Sequence, residues 1–351
     1  MKEGNTVLHV VICGEERSQR LPGVLKSALE GREYVLAGAG DGLAGAPILF
    51  VIPLPVHGVN HAAYDLVAYL RTHPDCLKGS VGGVWIDGGG DLYTKALGRE
   101  VVLSASLAGC AFPGRGLVEG TGKLRNFAVQ AKNGGCSLEE AYRRAVRDLV
   151  GRVLCFDPPK SRRPRLVVLH ASNHRTSNTA ALWKGVKERL RGPFDITEVA
   201  LRNGTLVDCS GCPYTMCLHF GEKGECFYGG VMVREVYPAI RDADAVVLLC
   251  PNYNDALSAN LTACINRLTA LYRTVSFQDK AVFTLVVSGY SGGDIVASQV
   301  VSALSMNKGF YLPPGFCLLE TANDPGTALR LPGIEERLAA FAENMEAQLM
   351  G

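Results

Sequence analysis

The sequence lacks a membrane-length apolar run, and it lacks a large net charge of either sign. Lys plus Arg number 36 against 34 Asp plus Glu, a formal net charge of +2. No broad electrostatic field points to nucleic acid or an anionic membrane as partner. The first residues, "MKEGNTVLHVVICGEE", hold too short an apolar run for a signal peptide, and no small-residue cleavage site follows. A soluble cytosolic protein is the expectation, with no nucleic acid and no membrane as partner. An obvious general acid or nucleophile is missing too, which directs attention to chemistry supplied by a cofactor.

What is present is a chain of 351 residues, 47% hydrophobic and 20% charged, enough for two well-packed domains. Short apolar runs alternate with amphipathic helical patterns, which predicts βαβ units and parallel sheets. "APILFVIPLPVHGVNHAAYDLVAYLR" in the first half is echoed by "ADAVVLLCPNYNDALSANLTACINRL" in the second. "GVWIDGGGDLYTKAL" is echoed by "LVVSGYSGGDIVASQ", and "GCAFPGRGL" by "GFYLPPGFC". Order and spacing are kept, as in an internal duplication. The expected fold class is α/β, with two tandem flavodoxin-like, doubly wound parallel sheets, the N-terminal one shorter and degenerate. The boundaries read from composition are a first domain at 1–155, a Pro- and Arg-rich linker at 156–164, and a second domain at 165–351. In the second domain, strands are predicted at "RLVVLHA", "FDITEVA", "AVVLLCP", "AVFTLVVSG" and "GFCLLE", with a closing helix over "IEERLAAFAENMEAQLM".

Open parallel sheets bind ligands at the carboxyl ends of their strands. After the first strand of the second domain comes "ASNHRTSNTAALWKGV", with Ser172, Asn173, Thr176, Ser177, Asn178 and Thr179, plus His174 and Arg175, just before a helix. Hydroxyls, amides and a helix start, with no carboxylate, suit a phosphate. The corresponding loop of the first half, "CGEERSQRLPG", places Glu15 and Glu16 there instead, which repels an anion. His57, His61, Asp65 and Asp87 in that half show no ligand spacing and read as helix-surface and turn residues. The segment "AFPGRGLVEGTGKLRNF" puts Arg115, Lys123 and Arg125 among glycines, a basic loop.

The second half resembles the NADPH-dependent FMN reductases and the related iron–sulfur flavoproteins. "ASNHRTSNT" keeps the Ser172 and Asn178-Thr179 positions of their phosphate loop, and "CPNYNDALSANLTACINR" matches their second flavin loop at Pro251, Tyr253, Ser258, Ala259, Leu261, Ile265 and Arg267. "SGYSGGD" is similar to their Gly-rich loop beside the flavin. The resemblance implies FMN as cofactor and NAD(P)H as co-substrate. The implied binding set is Ser172, Arg175, Ser177, Asn178, Thr179, Pro251, Asn252, Tyr253, Asn254, Ala256, Ser288, Gly289, Gly292 and Gly293. It also implies an oxidoreductase that passes electrons to a small-molecule acceptor or a redox partner. Two alternatives stand beside it: an electron-carrier flavoprotein that docks to such a partner, and a scaffold with a decayed flavin site.

Of the 12 cysteines, four form a cluster, Cys209-x2-Cys212-x4-Cys217-x8-Cys226, in an insertion at 209–226. In a cytosolic chain a disulfide knot is not expected. In the resembled iron–sulfur flavoproteins this insertion holds a [4Fe–4S] cluster, with closer cysteine spacing than here. The readings left open are that cluster, a Zn site with His219 as an alternative ligand, and no metal. The scattered Cys13, Cys155, Cys250, Cys264 and Cys317 lie in or beside apolar runs, where a thiol acts as a small hydrophobe. The two halves are expected to form an intrachain pseudo-dimer, with further self-association of the chain left open.

Overall fold

A computed structural model describes residues 7–14, 18–172 and 176–351. The chain divides into two units, Met1–Asp157 and Pro158–Gly351.

The first unit runs β1 (Leu8–Ile12), α1 (Leu21–Leu29), β2 (Tyr34–Leu36), β3 (Pro47–Leu54), α2 (His61–Thr72), β4 (Val81–Gly88), α3 (Thr94–Leu107), β5 (Leu117–Gly120), α4 (Ala128–Gly134) and α5 (Leu138–Leu154). The strand order is β2-β1-β3-β4-β5, with every pairing parallel. Seven of the eight residues of β3 are buried, as they must be when helices cover both faces of a sheet. On one face, α1 and α5 bring Leu21, Val24, Val146 and Leu149 onto Val10, Leu49 and Trp85. Helix α5 starts where Ser137 accepts the backbone N–H of Glu140, with Glu139 and Glu140 at the positive end of the helix dipole. The basic segment expected as a loop contains strand β5, because its alternation of buried and half-buried residues from Leu117 pairs with β4.

The second unit runs β6 (Arg165–His170), α6 (Asn178–Arg189), β7 (Asp195–Ala200), α7 (Tyr214–Glu222), α8 (Tyr237–Asp242), β8 (Ala245–Pro251), α9 (Ala259–Leu271), β9 (Ala281–Ser288), α10 (Gly293–Val300), β10 (Cys317–Thr321) and α11 (Ile334–Leu349). The order β10-β9-β8-β6-β7, again all parallel, repeats the order of the first unit. This is the flavodoxin-like arrangement in both units. All five strands and the closing helix lie where the sequence pattern predicts them.

The likeness of the units extends to an isolated bridge: Val81 pairs with Ala111 in one and Ala281 with Tyr311 in the other. Each bridge follows a left-handed glycine, Gly109 at φ +100° and Gly309 at φ +87°. A Cβ at Gly109 would also stand 2.8 Å from the Lys78 backbone, so only glycine closes that turn. Residues 158–164 are tied to the second unit rather than hanging free. Ser161 donates its N–H to the carbonyl of Leu349 at 2.8 Å and Lys160 Nζ donates to the carbonyl of Ala347 at 2.8 Å. No helix among the described residues is long and apolar enough to cross a membrane.

Candidate functional site

In the second unit the chain steps from β6 to one side for β7 and to the other for β8. The crevice therefore opens outside the carboxyl ends of β6 and β8, flanked by Ser172 and by Asn252. Helix α6 begins there, with Ser177 as its N-cap accepting the backbone N–H of Ala180 at 3.2 Å. The hydroxyl of buried Thr179 lies 2.8 Å from Ser177 Oγ and 3.3 Å from Ser172 Oγ. Three hydroxyls and the open N–H groups of a helix start thus share one spot, a donor set that suits an anion. Asn173, His174 and Arg175 lie outside the described residues, so Arg175 stays a sequence-based expectation.

Asn178 does not belong to that donor set. Its Nδ2 donates to the carbonyls of Ala322 and Asp324 at 3.2 and 2.9 Å. Its Oδ1 accepts the N–H groups of Gly326 and Ala328 at 2.8 and 3.4 Å. The side chain is engaged in fixing the turn after β10, which leaves the backbone N–H of Asn178 as what it offers at the helix start.

The loops after β8 and β9 are stitched together by Asn252. Its Nδ2 donates to Ser288 Oγ at 3.1 Å, to the Ser291 carbonyl at 2.9 Å and to Asp255 Oδ1 at 3.1 Å, while its Oδ1 is buried with no partner. Between Tyr253 and Ala256, whose backbones bridge each other, Asn254 and Asp255 turn at φ +55° and +56°. That pair of left-handed residues makes a tight hairpin and lifts Tyr253 into solvent. Gln299 of α10 holds the hairpin by accepting Leu257 N–H and donating to the Asp255 carbonyl, both at 2.9 Å. Neither Asp255 nor Gln299 is legible as a site residue in the sequence, because their role depends on two loops meeting. Gly292 sits at φ +81°, and a Cβ there would lie 1.9 Å from Asp255 Oδ1. Gly289 and Gly293 complete a backbone wall without side chains, and Tyr253 and Tyr290 are 57% and 83% exposed beside it. Pro251 ends β8 at the base of this slot.

The cysteine insertion contains a helix: α7 carries Cys217 and His219. Cys209, Cys212, Cys217 and Cys226 line one cavity of about 290 Å³, together with Phe220, Phe227, Arg267 and Arg273. All 12 cysteines are free. Among the described residues no three His, Cys, Asp or Glu side chains converge as a metal-holding group. The four thiols share a wall without meeting at one centre. Arg267, expected from a motif match, is 98% buried and donates to the carbonyls of Val207 and Gly229, which anchors the insertion to α9. Nearby, burial and then Arg273 push the Lys308 ammonium down, against an opposing pull from Cys209 and Cys217.

In the first unit a cavity of about 800 Å³ opens at the carboxyl ends of β1, β3 and β4. Asp87 is not a turn residue there. It is 2% exposed at the end of β4, and its Oδ1 accepts both Arg20 Nε and the Tyr142 hydroxyl at 2.7 Å. Trp85 Nε1 in turn donates to that hydroxyl. Burial, reinforced by the Asp87 charge, pushes the Tyr142 phenol well above its usual value, so it stays a proton donor. His57 and His61 line the cavity, whereas Asp65 lies on the exposed side of α2. Glu15 and Glu16 lie outside the described residues. The sequence reading missed Arg20, Tyr142 and Asp87 as a unit, because they are brought together across 55 residues and more.

Comparison with known proteins gives a family match over part of the chain. Residues 164–324 match the family NADPH-dependent FMN reductase, and the match lies inside the second unit. No curated protein matches the chain. Among solved structures, the chain is similar to an NAD(P)H:quinone oxidoreductase from Methanothermobacter marburgensis (15% identity, 53% of this chain and 98% of that one covered, TM-score 0.38). An azoreductase from Bacillus anthracis is 15% identical over 53% of this chain and 99% of its own, with TM-score 0.35. An NADH:FMN oxidoreductase in apo form is 15% identical over 54% and 91%, with TM-score 0.38.

Proposed function

We propose that the second unit binds FMN at the carboxyl edge of its sheet and acts as an NAD(P)H-dependent oxidoreductase. The observation that supports this reading best is the meeting of Ser172, Ser177 and Thr179 at the start of α6, inside the segment that matches the family. The residues fit the group. The hydroxyls and the α6 N–H groups suit its phosphate, and the side-chain-free wall at Gly289, Gly292 and Gly293 lets backbone approach a flat ring. The buried, unpartnered Oδ1 of Asn252 is an acceptor left over for a ligand donor.

FMN, when bound, would supply the redox chemistry, hydride uptake from a nicotinamide and electron delivery to an acceptor. The chain's own part is to bind and orient. Ser177 and Thr179 fix the anionic end, Asn252 and Gln299 hold the hairpin at 253–256 in register, and Tyr253 and Tyr290 flank the slot where a co-substrate enters. No step here needs a cluster at the four cysteines, which line a cavity wall without converging.

The test is a titration of the purified full chain with FMN, followed by absorbance and flavin fluorescence, then anaerobic addition of NADH or NADPH. Saturable binding and loss of the oxidised-flavin absorbance support the reading. Sustained NAD(P)H consumption with a free quinone separates an enzyme from an electron carrier, which is reduced but does not turn over. Failure to take up FMN overturns it.

A further inference from the structure

We propose that the first unit is a binding unit in its own right. It takes an uncharged heterocycle of nucleoside size, without phosphate, that donates an N–H to Asp87. The cavity of about 800 Å³ lies within the range of sites that hold small organic ligands. It occupies the switch point of the sheet, where β1 has β2 on one side and β3 on the other. Pro53, Leu54, Pro55 and Val59 give it apolar walls, and Gly88 and Gly89 give it bare backbone.

The polar groups define the ligand. Asp87 Oδ1 is saturated by Arg20 and Tyr142, but Oδ2 is buried with no partner. A buried carboxylate oxygen calls for a donor, and Asp87 lines the cavity from which a ligand could supply one. Arg20 is not free to receive an anion. Its NH1 donates to Gly122 O and its NH2 to Gly88 O and Thr121 O, with Nε already on Asp87. Among the described residues that line the cavity Arg20 is the one Lys or Arg side chain, so phosphate is disfavoured. At the rim, His57 Nδ1 accepts the N–H of Val59 at 3.3 Å, which puts the proton of the neutral ring on Nε2. The cavity therefore offers one buried acceptor and one donor, the complement of a ring that carries both N–H and C=O.

The probes are uridine and guanosine, each against its 5′-monophosphate, titrated calorimetrically into the full chain, with hydrogen exchange to locate the site. Each nucleoside is expected to bind and to protect amides at 53–62 and 87–90. Each monophosphate is expected to bind about tenfold or more weakly. Asp87→Asn removes the charged acceptor and weakens nucleoside binding by about tenfold. Because that change also touches Arg20, Ala62→Leu serves as the second variant. It narrows the cavity from α2, leaves the Asp87 network intact, and is expected to weaken binding by about tenfold or more with an unchanged unfolding midpoint. Absence of nucleoside binding, equal binding of the monophosphates, protection elsewhere in the chain, or normal binding by Ala62→Leu would overturn the proposal.

Discussion

The side-chain amide of Asn178, the first residue of α6, donates to the backbone carbonyl of Ala322, the residue after β10, at 3.2 Å. The rest of that side chain closes on Asp324, Gly326 and Ala328. Arg20, the N-cap residue just before α1, makes a comparable tie in the first unit by reaching the carbonyls of Thr121 and Gly122 after β5. Both units thus tie the helix after their first strand to the loop after their last one. One does so with a neutral amide, the other with a guanidinium that also neutralises Asp87.

Asn178→Ala is expected to destabilise the second unit by roughly 2–4 kcal/mol, since it orphans backbone groups in a partly buried turn. Thr179→Val removes a hydroxyl from the proposed phosphate site and is expected to weaken FMN binding by about 1–2 kcal/mol, with little change in unfolding. Urea unfolding and FMN titration of both variants check the separation. Equal effects of the two on FMN affinity at equal stability would return Asn178 to the ligand set.

Gly292→Ala combines a left-handed backbone with a Cβ driven onto Asp255 Oδ1. The hairpin at 253–256 must shift, so FMN affinity is expected to drop by about tenfold or more, with a stability cost of about 1–3 kcal/mol. Gly289→Ala, at a site with no left-handed requirement and a nearest neighbour 3.0 Å away on the Asn323 side chain, is expected to be milder.

Arg20→Met leaves the Asp87 carboxylate buried without its cation and is expected to cost about 3–5 kcal/mol. Adding Asp87→Asn to Arg20→Met removes that charge and should recover part of the loss, a coupling that a double-mutant cycle of unfolding free energies measures directly.

Burial pushes the thiols of Cys13, Cys250, Cys264 and Cys317 up to about 12 from an ordinary 9.0. Above about pH 9 the unfolded chain releases these protons and the folded chain keeps them, so the folded state binds more protons and stability falls as pH rises. Each thiol contributes a slope of about 1.4 kcal/mol per pH unit between those values. Stability measured by urea unfolding from pH 8 to 11 should fall steeply, and replacing two of the four with Ala or Val should flatten the curve.

The same burial predicts labelling order. Cys155 and Cys209 are exposed and are expected to react first with iodoacetamide in the native chain, with Cys110, Cys250 and Cys264 protected until unfolding. Mass spectrometry of timed digests reads the order. Cys155 departs here from its expected place among the small hydrophobes, because it caps the exposed end of α5.

The strands of the second unit were legible because each is a short apolar run bounded by Pro, Gly or Asx, and a strand buried on both faces leaves that mark whatever surrounds it. The order of motifs along the chain was enough to identify the loops after β6, β8 and β9 as neighbours at one edge. Local sequence also determined the caps at Ser137, Ser177 and Ser258, since a cap needs only its own first turn. What each side chain does at that edge was decided by tertiary structure alone. Asn178 looks like a ligand until the turn after β10 consumes it. Asp87 looks like a turn residue until Arg20 and Tyr142 arrive from distant segments. The four cysteines look like a ligand set, and the fold puts them on one cavity wall without bringing three of them together. Hydrogen bonds and charge pairs form between groups that folding brings together, and their partners are set by the crossovers of the sheet rather than by spacing along the chain.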